Sequence, residues 1–368
     1  MPEELFVFKK LPKETKDLDV ALDEMPDSFK QTLLESYGAL EAAIISQQRD
    51  SNMKDLRAEL ARYLSHPKMG VIRWLKKSSD IQNLNYHNDR LPDPHTMGFV
   101  LPEFIRIATG EVLKGNYQKP QNAFFGVMAA AMHDAAFGIN DGNKKNVQFY
   151  DKNEPLGAGL AQIYMLTFGF NNDEINSVTK PIEYTWVRKD LKGDNKKGLI
   201  TDDDYTNAMV LRDADLSYLA SSQITFFRVE GALMAEIYAR RTSDLYDFLR
   251  TTREKLIKAY RMNGAGDETQ DLQQSKEHRD FYEALIGDHG TKQHMACFTL
   301  CWDINSYNFM RNFHHWNTAT AKENFDEPSQ RNLNAYFHKL LAYQKSFEIS
   351  HGLKHVELAD VFPGYFPK

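Results

Sequence analysis

The chain has 368 residues, 42% of them hydrophobic and 26% charged, the composition of a globular protein with ample core. A formal charge of -6 argues against nucleic acid or an anionic membrane surface as the default partner, so any basic site must be local. The opening stretch MPEELFVFKKLPKETKDLDV lacks the continuous apolar run of a secretory signal, and no window approaches a membrane-spanning length, so a cytoplasmic chain is expected.

Helical signals dominate from the start. Asp27 is placed to cap SFKQTLLESYGALEAAIISQQ, whose apolar residues recur at three and four. DLRAELARYL and GVIRWLKK follow as further helices. Asp93 and Pro94 read as a cap and first helical position for HTMGFVLPEFIRIAT, with Pro102 as an interior kink and Gly110 as a stop. NAFFGVMAAAMHDAAF is the next helix, and GINDGNKKN a loop after it. EPLGAGLAQIYMLTF should end at Gly169, before NDEINSVTKPIEYTWV. Residues 188–204 read as the most polar loop of the chain, ahead of DYTNAMVLRDADLSYLA. Two amphipathic stretches run to about Met262, and NGAGDETQDLQQSK is the best boundary. The segment from Phe281 to Phe347 is aromatic-rich and reads as helical. With no repeat and no ladder of strands, the expected class is mostly α.

Four elements along this order carry chemistry. They are YHNDRLPDPH with His87 and His95, the HD pair His133 and Asp134, the NE pair Asn153 and Glu154, and RDADLSYL with Asp213 and Asp215. A histidine and an aspartate inside an alanine run are either a buried pair tying two helices together or two ligands of a metal ion. Two imidazoles with two carboxylates suit one borderline or hard divalent ion, with Mn, Mg, Zn and Fe not distinguished. Neighbours on a helix lie about 100° apart, so both can face one ion. Ala129, Ala130 and Ala136 leave that face slim enough for other helices to bring ligands in. Asp215 has Leu211 and Leu219 four residues either side and Asp213 has Met209 and Ser217, which separates the two only weakly. The plain alternative for Asp215 is a surface pair with Arg212.

The order H…HD…D resembles the HD superfamily of metal-dependent phosphohydrolases. YHN with a second downstream histidine is also similar to cyclic-nucleotide phosphodiesterases and to predicted bacterial HD hydrolases, where the spacing is YHNxxH. Removing LPDP at 91–94 restores YHNDRH, so the resemblance implies a short insertion. It then implies His95, His133, Asp134 and Asp215 as metal ligands, with His87 as the substrate-facing acid. It implies an HD-type helical bundle over about residues 70–262, with a helical extension at 1–69 and a further segment at 263–368 packed on it. The chain departs from the family in two places. Phe137 stands where some relatives carry a Glu or His that holds water or a second metal. No histidine lies between Asp134 and Asp215, so one metal is expected.

These implications define an expected function. The ion would bind water and a phosphoryl oxygen of a small phosphorylated substrate, a nucleotide being favoured. Asp134 or Asp215 would take a proton, His87 would give one, and Glu154 would orient water or substrate unless it merely complements the helix start. Asn88 and Arg90, beside the motif, are the expected substrate contacts. The competing expectation is an altered HD-fold module that binds a nucleotide or a protein partner without catalysis. Other motifs read as structural. TDDDY at 201–205 looks like a helix start, HGLKH at 351–355 lacks the glutamate of a zinc protease, and FHHWN at 313–317 looks like core. Cys297 and Cys301, four apart, read as packing residues of a chain in a reducing compartment.

Overall fold

A computed structural model describes residues 38–47, 95–134, 153–167, 169–185, 190–239, 252, 254–258, 276–286 and 294–367. Among them every regular element is a helix, apart from one isolated bridge between Pro363 and Phe366, so the class is mostly α. No helix among the described residues is long and apolar enough to cross a membrane. The expected helices over DLRAELARYL and GVIRWLKK lie outside the described residues. So do His87, Asn88, Arg90, residues 91–94, Ala136 and Phe137.

The chain divides into two compact units. One comprises Met1–Gly142, Gln148–Ser217 and Asn317–Ala321; the other comprises Asn143–Val147, Tyr218–Trp316 and Lys322–Lys368. The first contains α1 (residues 38–47), α2 (Leu101–Leu113), α3 (Ala123–Met132), α4 (Asn153–Thr167), α5 (Asn172–Glu183), the short α6 (Leu191–Lys196) and α7 (Asp202–Asp215). Every residue of α3, AFFGVMAAAM, is buried, as befits a helix apolar on all sides. Helix α7 packs on α2, α3 and α5, and α5 in turn on α3 and α4. At Gly126 a Cβ would run into the Asn207 side chain and the Phe104 ring, so glycine sets the closeness of α3 to α7 and α2.

Three details differ from the sequence expectation. His95–Val100 is a π-wound turn, and α-winding begins only at Leu101. Proline clashes with the carbonyl four residues back and has no N–H to give it, and wider winding ahead of Pro102 relieves that conflict. Gly110 does not stop the helix. A Cβ there would lie 2.5 Å from Thr320 Oγ1, so the glycine serves a close approach. The stop is Gly115, at φ +75°, with Gly115 N–H donating to the Val112 carbonyl and Asn116 N–H to that of Glu111. The polar stretch 188–204 is not wholly loop. Asp190 caps α6 through the Gly193 N–H, and Thr201 caps α7 through the Asp204 N–H.

The acidic run at the start of α7 is structural. Asp203 accepts from the backbone N–H groups of Gln118 and Lys119 and from Asn122 Nδ2, which pins the turn between α2 and α3. Asn207 is fully buried, accepting from Tyr117 and donating to the Asn122 carbonyl. Helix α7 is thus polar in sequence and largely buried in fact, with Asp203 and Asn207 meeting specific partners.

The second unit contains α8 (Gln223–Ala239), α9 (Lys276–Ile286), α10 (His294–Asn308) and most of α11 (Ala319–Ser350), with a short α12 (Leu358–Val361) near the end. Aromatic pairs fill it, including Phe226 edge-on to Tyr336 and Phe281 edge-on to Phe347. Glu230 accepts from Trp302 and Tyr218, while Asp303 accepts from Tyr336 and Lys339. FHHWN is core at its tryptophan: Trp316 packs against His314 and Phe325. Of the HGLKH histidines, His355 is exposed and lies between Glu348 and Glu357.

Candidate metal centre

His133 and Asp134 occupy the turn that closes α3, immediately after its last buried methionine. His95 opens the π-wound turn, and Asp215 closes α7. Three separate stretches of chain thus deliver four side chains to one point. One ligand atom from each lies within 4.8 Å of all the others, and the group could hold a metal ion.

The four atoms form a ring that alternates nitrogen and oxygen. His95 Nε2 is 3.0 Å from Asp215 Oδ1, which is 3.4 Å from His133 Nε2. That nitrogen is 3.1 Å from Asp134 Oδ2, which is 3.6 Å from His95 Nε2. Ligand atoms at ~2.1 Å from one ion stand ~3.0 Å apart along an octahedral edge and ~3.4 Å along a tetrahedral one. Three of the four ring edges fall in that range, and the fourth, at 3.6 Å, lies just above it.

The tautomer of His133 sharpens the point. Its Nδ1 lies 2.8 Å from the Ala130 carbonyl oxygen, which can only accept, so Nδ1 carries the hydrogen and donates. In the neutral imidazole Nε2 then presents a lone pair to two carboxylate oxygens. That nitrogen is fully buried and makes no hydrogen bond of acceptable geometry. Lone pair facing lone pair is repulsive unless a cation lies between them. A backbone carbonyl holding the far nitrogen is also how metal-binding histidines are oriented. In the absence of an ion a proton takes this role. Burial opposes the charged imidazole, yet Asp134 and then Asp215 outweigh it and raise the His133 pKa well above its ordinary value. Burial likewise opposes the charged form of Asp215, but the facing imidazoles of His133 and His95 hold it down at about 2. Two carboxylates and two neutral imidazoles sum to a charge that one divalent ion cancels.

Exposure is graded across the group. The His133 side chain is 2% exposed, those of His95 and Asp134 12% and 13%, and that of Asp215 29%, so the cluster opens on the Asp215 side. Glu154, in the first turn of α4, stands within the field of this cluster. Its pKa is raised, chiefly by burial and further by the charges of Asp134 and Asp215, and its Oε2 is buried without a hydrogen-bond partner. What brings α4 so near is Gly157, where a Cβ would lie 2.8 Å from the His133 carbonyl oxygen. Glycine three residues after Glu154 is the sequence signal of that close approach.

Asp213 is in another environment. Its fully buried carboxylate accepts from Asn317 N and Nδ2 on one oxygen and from Thr318 N and Oγ1 on the other, all at 2.8 Å. Arg212 donates to the Tyr184 carbonyl. The cysteines are buried, with burial pushing the Cys297 thiol up to about 11 and that of Cys301 higher still, as inert packing residues require.

Compared with models of known protein families, with curated proteins and with solved structures, the chain matches none.

Proposed function

We propose that this chain is a metal-dependent phosphohydrolase or phosphodiesterase of the HD type, acting on a small phosphorylated substrate, with nucleotides the first class to try. The observation that carries the reading is the alternating ring of His95, His133, Asp134 and Asp215 around a buried imidazole lone pair. A divalent ion held by these residues would supply a Lewis acid able to acidify water and polarise a phosphoryl oxygen. Asp134 or Asp215 would accept a proton from water, and the partly exposed Asp215 side would admit substrate. Glu154 offers a buried, unpartnered oxygen that orients water or substrate. By the family resemblance His87 protonates the leaving oxygen, and Asn88 and Arg90 meet the phosphate. The unpaired buried cysteines accord with a cytoplasmic setting.

A second reading is a binding module that keeps the metal but not the chemistry, favoured by Phe137 and the 91–94 insertion. Metal analysis of purified protein with a phosphatase and phosphodiesterase substrate panel separates the two. His133→Ala should abolish metal binding, whereas His87→Ala should keep the metal and lose turnover. Full metal occupancy with no turnover on any substrate selects the binding module, and full occupancy in His133→Ala overturns the ligand set.

A further inference from the structure

The segment Asn317–Ala321 belongs to the first unit, although the residues on either side of it belong to the second. Two buried carboxylates grip it. Asp213 takes both backbone N–H groups and both side-chain donors of Asn317 and Thr318, and Glu111 on α2 takes the Thr320 N–H. Gly110 clears the space for Thr320. The Thr318 hydroxyl is used twice, donating to Asp213 and accepting from the Ala321 N–H to cap α11. Asp213 stands one turn or less from Asp215, on the last turn of α7, where helices fray unless something holds them.

We propose that Asn317 and Thr318 are positioning residues for the metal centre: through Asp213 they fix the last turn of α7 and so the direction of Asp215. The inference rests on the metal-site reading. Neither residue is a ligand; each acts by removing the freedom of a helix end. All four residues sit at element ends; His133 is held there by its own bond to the Ala130 carbonyl, whereas the turn that carries Asp215 is held through Asp213. Bound to four donors, the Asp213 carboxylate cannot swing, and the turn that carries Asp215 cannot unwind without breaking them.

The test is Mn(II) titration of the full chain followed by electron paramagnetic resonance. Asn317→Ala removes one donor and should weaken Mn(II) binding about 10-fold; Thr318→Val should weaken it about 10- to 100-fold, the range of outer-shell changes at metal sites. Thr318→Ser keeps the hydroxyl and should restore affinity. Asp203→Asn loosens the opposite end of the same helix and serves as the control for general destabilisation. Wild-type affinity in both Asn317→Ala and Thr318→Val overturns the proposal, as does equal weakening in Asp203→Asn. If Thr318→Val does not fold, Asn317→Ala, which leaves the α11 cap intact, decides alone. Failure of the wild type to bind Mn(II) overturns the metal reading itself, and is told apart because no variant is needed to see it.

Discussion

Asp213 and Asp215 leave the last turn of α7 about 200° apart around the helix. On one side Asp213 is wholly buried and meets four neutral donors at 2.8 Å, enough to satisfy both oxygens. On the other side Asp215 is partly exposed and meets two histidines, one of which already spends its single neutral proton on a carbonyl. A carboxylate with all its donors is structure. A carboxylate sharing a ring with Asp134 and two imidazoles, with too few protons to go round, is a place for a cation. Charge alone does not separate the two aspartates; the count of available hydrogens does.

Substitution should split that contrast most widely at the aspartates themselves. Asp215→Asn should weaken Mn(II) binding by more than about 100-fold, exceeding the outer-shell effect because a ligand is lost, with the smaller loss of stability. Asp213→Ala leaves four donors without an acceptor and should cost about 3–5 kcal/mol in urea unfolding, the scale for breaking a buried charged network. If Asp215→Asn lost the same stability as Asp213→Ala, the two faces would not be chemically distinct.

The pH dependence of the metal-free protein should sharpen the difference further. The folded His133 pKa lies above its unfolded value near ~6.5, so its contribution is complete below that value and is lost as pH rises through the raised folded pKa. Asp215 runs oppositely. Held at about 2, it contributes above the unfolded value near ~3.9 and loses that contribution as pH falls through about 2. Urea midpoints in chelator should therefore decline at both ends of the range. Added Mn(II) should abolish the alkaline decline, because the ion takes the place of the proton and binds better as protons leave. A flat alkaline limb in chelator would sink the proton stand-in at His133.

A smaller effect should come from Gly157→Ala. The new Cβ meets backbone at the His133 carbonyl, which cannot swing aside, so the substitution should cost about 1–3 kcal/mol. On the proposed phosphohydrolase reading it should also displace Glu154 and lower turnover more than Mn(II) affinity, as steady-state kinetics with saturating metal would show. Equal losses in both would place Glu154 among the groups that hold the ion.

Much of this was legible in residue order. The apolar run of α3 announces a buried helix, the Asn171 and Glu174 pair forms a capping box, and Gly169 ends α4 as its spacing implies. The HD pair and the two further elements that complete the cluster can be found by type and order, because imidazole and carboxylate are the groups able to hold divalent ions. The acidic start of α7 was recognisable as a capped helix, since Thr201 precedes three aspartates.

The rest was decided by contacts between distant residues. The sequence left Asp213 and Asp215 nearly equal, as their difference lies in Asn317 and Thr318, more than a hundred positions away. Gly110 resembles a helix stop until Thr320 is seen against it, and nothing local distinguishes that role from termination. The burial of α7 could not be read from periodicity either, because its inward face is polar and Asp203, Asn207 and Asp213 find their partners far along the chain. Residue chemistry specified which side chains could share an ion and which helices would be buried. Only the tertiary structure decided which aspartate joins the histidine cluster and which holds the chain, because a carboxylate's role depends on the donors that folding brings to it.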